Sequence, residues 1–491
     1  MILMRILMRS SGETLVAVFT KGGFTLKLKG NMVIELTDEN TGEVETIEES
    51  NMVTNAVNNL LGINPMGIFY MMGGQYETGL IWNSEMLPIC PNMIGGILLF
   101  SQALTEDVNN LYPSSSNLPV AYASNDVNAT ANVKRGSVNL TESKALDNGY
   151  KFVWEFTPSQ GNGTIAAVGL TSAQGGANAY GSIAGDATPF LQLKQISIGD
   201  MTLEEQIPLF EAVEMDYENG LLYSMQYATK TVAIKKYRIP TFDIGLNEKM
   251  NDTSIALLEE KVLTCSTFKF LGSYTPYGNF IDGFDGYWYG FSNQQNSSGN
   301  ATMYWIKIKK EDYSFTEGSW SLSNATLLAV GSMVETDSYP KRVIRSVVRN
   351  GYLYVPKYDK TGIYKINISN STDVTLIEFG FTSAMKPLGG SGSCENYLIM
   401  VGDLIIGWDF QVDVNDNVTQ TMGEERFENL ATPLLPYKQF LTCWEGSYGN
   451  EYHSTYLLTP YLATINNLSS AVVKNADKTM KITYTLTEEE S

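Results

Sequence analysis

The densest meeting of acids and aromatic rings in this chain is Asp282-Gly283-Phe284-Asp285-Gly286-Tyr287-Trp288-Tyr289. Carboxylates accept hydrogen bonds from hydroxyl groups and ring faces stack on the C–H surface of a pyranose. Asp282, Asp285, Tyr287 and Trp288 are therefore candidate ligand-binding residues, with a sugar as the fitting chemistry. The same run also reads as a tight turn entering an aromatic strand, which is the plainer reading. A second acidic group, Asp413, Asn415, Asn417 and Glu424, repeats positions 1, 3, 5 and 12 of a helix-loop-helix calcium loop. Position 6, where that loop turns on glycine, is Val418 and the flanks alternate like strands, so a hairpin turn is expected and no metal site.

Other chemistries find little support. His453, between Tyr452 and Tyr456, is the single histidine, so a His-rich metal centre is excluded and any Ser/His or Cys/His nucleophile system would run through it. It reads as structural. Cys90, Cys265, Cys394 and Cys443 contain no C-x-x-C pair and are expected to be free thiols. The glycine-rich pieces Gly389-Gly390-Ser391-Gly392 and Gly175-Gly176 lack both the Lys-Ser/Thr of a phosphate loop and the spacing of a dinucleotide site. No cofactor and no catalytic residue follow. A glycoside hydrolase needs only two suitably separated carboxylates, but among 53 acids their presence carries no weight.

The whole-chain balance narrows the partners. At roughly 100 to 200 residues per domain, 491 residues predict two to four domains, each able to bury a core. Charged residues make up 18%, below the roughly 25% of ordinary soluble chains, so Asn, Ser and Thr must supply much of the surface polarity. With 33 basic against 53 acidic residues the net charge is −20, which opposes a grip on phosphate backbones and argues against nucleic-acid binding. Arg5 and Arg9 interrupt the apolar N-terminus, leaving no run near the ~18 residues a membrane span needs and no signal-peptide core. Folding in a cytoplasm is expected. With 28 Tyr, 7 Trp and 20 Phe, exposed rings are available for recognition, although many must be core.

These groups need elements to position them. Alternation over Phe24 to Lys29, a break at Gly30-Asn31 and a second alternation through Met32, Ile34 and Leu36 predict a hairpin; the turn Asp38 to Gly42 leads to a third strand over Val44 to Ile47. Val53, Val57, Leu60 and Leu61 predict a short helix near 51–61. Residues 64 to 105 show no single period. Tyr150, Phe152, Trp154 and Phe156 alternate, then Gly161-Asn162-Gly163 predicts a turn into Ile165 to Leu170, a second hairpin with an aromatic inner face. The small-residue stretch Ser172 to Gly185 marks a loop before a domain boundary.

Beyond it a local pattern repeats: Asn219-Gly220, Asp285-Gly286, Asn350-Gly351 and, more loosely, Glu395-Asn396 each precede an aromatic or apolar strand, and a fifth copy begins near Gln439. A second alternating strand follows each of the first four, at Thr231 to Ile239, Thr302 to Lys309, Gly362 to Ile368 and Leu404 to Phe410. Recurrence at ~40 to 65 residues predicts a β-propeller of five to seven four-stranded blades, with a large sandwich of irregular hairpins as the rival. The last strand places Ile482, Tyr484 and Leu486 on one face; it either closes the propeller or runs back to the N-terminal sheet. The expected fold is all-β: a sandwich-like domain over 1–200, a propeller over 205–470 and a terminal strand over 471–491.

Three stretches resemble virion proteins of tailed bacteriophages of Gram-positive hosts: Met32 to Val44 (MVIELTDENTGEV) with Asn51 to Asn55; Gly149 to Phe156 (GYKFVWEF) with Gly161 to Ile165 and Leu170-Thr171; and Asp477 to Thr487 (DKTMKITYTLT). Because they bracket the chain, the resemblance suggests that the final strand returns to the N-terminal domain with the propeller inserted between. It implies a tail-tip, baseplate or fibre component, assembled in the host cytoplasm into the virion and carrying no catalytic residues. Its partners would be other tail proteins, a host-surface glycan or protein, and further copies of itself, with no membrane insertion. The rival functions are a glycan-depolymerising propeller using paired carboxylates, or a spacer without a ligand.

Overall fold

The computed structural model describes residues 9–10, 13–14, 28–61, 89–124, 132–173, 190–197, 211–216, 219–238, 256–272, 277–334, 341–385, 398–420, 431–447, 450–458 and 461–488. Strands dominate, in two bodies. In the first, one sheet curls until it meets itself: Lys478–Glu488, Leu28–Asp38, Val44–Val53, Thr464–Lys474, Gly163–Thr171, Gly96–Phe100, Ala121–Ala123, Arg135–Val138 and Gly149–Phe156 follow in order, and the last pairs with the first. Lys144–Leu146 branches from Gly149–Phe156. A closed sheet has no free edge, and here closure replaces the two faces of a sandwich.

The alternating residues fill its interior. Met32, Ile34, Leu36, Phe152, Trp154, Phe156, Ile482, Tyr484 and Leu486 share one buried cluster, and the Phe152 and Trp154 rings stack with centroids 5.5 Å apart. The returning terminal strand pairs with Leu28–Asp38 over its whole length. Two pairings expected from sequence differ. Gly30-Asn31 makes no turn; both lie inside Leu28–Asp38, and a Cβ at Gly30 would fall 2.1 Å from the Asn51 Oδ1, so a larger residue there requires the Asn51 side chain to move. Phe24 to Leu26 lie outside the described residues. Gly149–Phe156 and Gly163–Thr171 are successive but unpaired: the first joins Lys478–Glu488 and the second joins Thr464–Lys474 and Gly96–Phe100. Long-range partners with matching apolar faces prevail over the short connection.

The second body is a propeller with five four-stranded blades among the described residues. Blade 1 runs Ala212–Asp216, Leu221–Ala228, Thr231–Arg238, Ala256–Thr264; blade 2 runs Asn279–Asp282, Tyr287–Ser292, Ala301–Lys309, Phe315–Leu322. Blade 3 runs Val347–Arg349, Tyr352–Pro356, Gly362–Asn367, Val374–Glu378; blade 4 runs Ile399–Val401, Leu404–Ile406, Phe410–Val412, Val418–Gln420. Blade 5 takes Ala431–Tyr437, Phe440–Ser447 and Asn450–Leu458 from the end of the propeller segment and its outer strand, Phe190–Ser197, from the beginning. That exchange fastens the ring shut. Sheet membership therefore moves the expected limits: 190–197 belongs to the propeller and 464–474 to the barrel, because each completes a hydrogen-bonded sheet there.

The recurring turn and aromatic strand have a physical cause. Asn350 and Gly351 have φ of 52° and 78°, the left-handed pair that a two-residue hairpin needs to match strand twist. In the strand that follows, a tyrosine faces a lysine on the next strand: Tyr223 with Lys236, Tyr289 with Lys307, Tyr354 with Lys365, each ammonium within 6.0 Å of the ring centroid. In blade 4 the corresponding turn is Gly402-Asp403, not Glu395-Asn396, which lies outside the described residues. Consequently Leu404 to Phe410 is two short strands rather than one.

The helix Asn55–Leu61 sits where the bodies meet. Thr54 caps it, accepting from the Ala56 N–H at 3.2 Å and donating its own hydroxyl to the Leu462 carbonyl at 2.6 Å. Gln439 of blade 5 donates to the Ala56 carbonyl at 2.8 Å, and Phe440 and Leu457 enter the barrel core cluster. On blade 4, Asp403 accepts from the Ser114 hydroxyl at 2.9 Å and the Ser115 N–H at 3.1 Å, while Val414 N–H donates to the Ser115 hydroxyl at 2.8 Å. The propeller is thus docked on the barrel, not only tethered to it. Among the described residues no helix is long and apolar enough to cross a membrane.

Candidate functional site

The five innermost strands leave a pocket at the propeller axis, lined by Glu214 and Met215 of blade 1, Asp282 and Phe284 of blade 2 and apolar residues of blades 3, 4 and 5 such as Val347, Leu398 and Leu434. Its polar end is built on the turn Asp282 to Gly286. Asp282 ends the inner strand and its carboxylate accepts the Phe284 N–H at 2.8 Å. This fold-back throws Phe284 outward, 59% exposed, with a left-handed φ of 55°.

Lys310, just beyond the third strand, is fixed by its N–H donating to the Gly286 carbonyl at 3.0 Å. Its ammonium lies 2.8 Å from both Asp282 Oδ1 and Glu214 Oε2. Glu214 also accepts the Trp288 indole N–H at 2.7 Å. One cation therefore serves two carboxylates. Burial pushes the Asp282 carboxyl above the ordinary range, with the Lys310 charge opposing and the Glu214 charge adding to the shift. Burial also disfavours the Lys310 charge, but Asp282 and Glu214 outweigh it and its pKa is raised. The end of the pocket carries surplus negative charge beside an exposed ring.

The four residues named from sequence separate into different roles. Asp282 lines the pocket. Asp285 is held in the turn, accepting from the Tyr287 N–H at 3.1 Å and the Tyr289 hydroxyl at 2.7 Å. Tyr287 is half-buried under the Lys307 ammonium, 3.9 Å from its centroid. Trp288 is 1% exposed, packed against Tyr223 and Tyr313, so it offers no face to a sugar. Sequence reasoning missed Glu214, Lys310 and Phe284. An acid within the inner strand of one repeat and a lysine pair closing the third strand of the next were the signals.

The Asp413 to Asn417 segment is a hairpin turn: Asp413 accepts from the N–H groups of Asn415 and Asn417 at 2.8 and 2.7 Å, and Glu424 lies outside the described residues. No group of three His, Cys, Asp or Glu side chains that could hold a metal occurs among the described residues. His453 lies on a blade 5 strand opposite Ile196 and Trp444. Cys90 and Cys265 are free, and Cys394 lies outside the described residues.

No protein-family model matches this chain, and no curated protein does. Solved structures that align with it include YjhT (9% identity, TM-score 0.25, 55% of this chain and 98% of that one). Others are the AfRom2 CNH domain (11%, 0.18, 64% and 93%) and prolyl oligopeptidase B from Galerina marginata (8%, 0.21, 90% and 60%). At these scores the likenesses carry no argument about this chain. The architecture rests on the strand pairings themselves.

Proposed function

We propose that this protein is a structural component of a bacteriophage virion, at the tail tip, baseplate or fibre, and that its propeller binds a host cell-wall glycan or surface protein without catalysis. The observation that carries the binding part is the axial pocket, where two carboxylates share one ammonium next to the exposed Phe284. Carboxylate acceptors orient hydroxyl or amine donors while a ring and apolar walls cover C–H surface, the combination a polysaccharide presents. The virion part is supported by the three stretches that resemble phage proteins. Far apart in sequence, they become neighbours in one barrel: Leu28–Asp38 beside Lys478–Glu488, and that strand beside Gly149–Phe156.

Among the described residues the barrel's hydrogen bonds to the propeller fall on blades 4 and 5, and the blade 2 turn is open at Phe284. A base that holds one side of the disc and leaves the pocket accessible suits a displayed adhesin. Attachment to neighbouring tail proteins belongs to the barrel, and the acidic surface suits a particle that stays soluble at high local copy number. The competing glycan-depolymerase reading draws on the raised pKa of Asp282 near Glu214, a pattern that general acids share.

Labelled full-length protein is expected to stain Gram-positive host cells or isolated cell-wall polysaccharide, with the D282N/F284A variant losing the signal while keeping its unfolding temperature. Absence of staining by the wild type would remove the adhesin reading. Release of reducing sugar that disappears in D282N would replace it with the enzyme, and absence of the protein from purified particles would end the virion assignment.

A further inference from the structure

The outer strand of blade 1, Ala256–Thr264, differs from the outer strands of blades 2, 3 and 4. It is nine residues long and exposed over most of its length, with Leu257, Leu258 and Val262 at 51%, 53% and 52%. The exposed positions of the blade 2 outer strand are Thr316, Ser319 and Ser321; those of blade 3 are Thr375 and Glu378; those of blade 4 are Thr419 and Gln420. Among the described residues Ala256–Thr264 pairs only inward, with Thr231–Arg238, so its outer backbone edge carries a row of donors and acceptors with no strand beside it. Long, apolar, unpaired edges are templates for another strand.

The geometry points to a second copy of this chain as the occupant, joined edge to edge in a two-fold antiparallel pair centred on Glu260. In that register Leu258 of each copy faces Val262 of the other, and Glu259 faces Lys261, so two apolar pairs and two ion pairs form at once. Centring the pair on either neighbouring residue destroys this: on Glu259 it sets Leu258 against Glu260, and on Lys261 it sets Glu260 against Val262 and the two Lys261 against each other. The two Glu260 side chains that meet at the axis each have Lys235 opposite them within their own blade, which offsets their repulsion. Edge charges ordinarily discourage pairing, but these complement one another in the symmetric register. The inference stands apart from the adhesin reading, since it concerns the rim of the propeller and not its axis.

Sedimentation equilibrium of the full chain tests it. The wild type is expected to sediment at about twice its 54.3 kDa. V262K, at an exposed position where folding tolerates the change, is expected to sediment as the monomer. E259K alone is expected to weaken the dimer about tenfold or more, and the swapped pair E259K/K261E to restore it, because opposite charges then meet again across the axis with their signs exchanged. A wild type that stays monomeric across the concentration series overturns the proposal, as does a dimer that survives V262K. So does a double variant no tighter than E259K, which would refute the register even if V262K were misfolded.

Discussion

Two ion clusters tie neighbouring blades together on the same face of the propeller, the face formed by the turns from first to second and from third to fourth strands. Between blades 1 and 2, Glu214 and Asp282 share Lys310. Between blades 3 and 4 the stoichiometry is reversed: Asp416 takes Arg349 at 2.8 Å and Lys365 at 2.6 Å. Arg349, 3% exposed, directs its remaining donors to the Asp403 and Val412 carbonyls and the Tyr354 hydroxyl. That cluster lies beside the barrel contact at Asp403 and Val414, whereas the first opens on the axial pocket. The same fastening device is thus closed where the barrel docks, its extra cation taken up by backbone carbonyls and the Tyr354 hydroxyl, and left with an extra acid where the axial pocket opens. Charge met by fixed acceptors is structural; surplus charge at an opening is available for recognition.

The closed cluster should therefore cost the most to break. D416A strands a nearly sealed guanidinium, and buried pairs broken on one side lose ~3–5 kcal/mol. Asp416 and Lys365 keep partial solvent contact, so about 2–3 kcal/mol is expected, read as a lower denaturant midpoint. Binding to cell-wall polysaccharide should persist in the folded fraction. If D416A abolished binding without destabilising, the division between the two clusters would be wrong.

In the open cluster, K310M removes the shared cation and leaves two acids facing each other across blades 1 and 2. Because all three groups touch solvent, about 1 kcal/mol is expected. The pH response is more discriminating. Since folding raises the Asp282 pKa, the folded protein takes up this proton before the unfolded chain does. The group's stabilising share is full below 3.8 and is lost as pH rises through the folded value. Ligand binding that uses the ionised carboxylate runs the other way: affinity should fall on acidification at a pH above 3.8, and D282N should flatten that profile. A wild-type midpoint at or below the ordinary aspartate range would place the recognising acid elsewhere.

How much of this contrast is readable in the sequence follows from what local patterns encode. Period-two alternation identifies the barrel's inward residues, Met32, Ile34, Trp154 and Ile482 among them, because a strand's faces are local properties. It does not give their partners. Gly30-Asn31 and Gly161-Asn162-Gly163 look like hairpin turns, yet the first lies inside a strand paired on both sides, with Lys478–Glu488 and Val44–Val53, and the second joins strands that pair elsewhere. Blade anchors are legible wherever a turn glycine is followed by the tyrosine that faces a lysine. In blade 4, whose second strand Leu404–Ile406 has no tyrosine, the expected anchor falls several residues from the true turn. At the pocket, Asp282 is visible through its aromatic company, but Glu214 and Lys310 reach it from another blade and a later turn. Only the packing of blade 1 against blade 2 brings those together.

The smallest effect tests whether Asp285 belongs to the site or to the turn. Its carboxylate accepts the Tyr289 hydroxyl at 2.7 Å and the Tyr287 N–H at 3.1 Å, and the Tyr289 hydroxyl is pushed well above its ordinary pKa by burial and by that acid. Y289F deletes one neutral-to-charged hydrogen bond while leaving the ring stacked on Phe291. Water can replace the lost donor at the exposed turn, so about 0.5–1 kcal/mol of stability should go. Ligand affinity and its pH midpoint should not move. If instead Y289F shifted the binding profile as D282N does, Asp285 would have to be counted with the open cluster, and the line between fastening and recognition would pass through the turn itself.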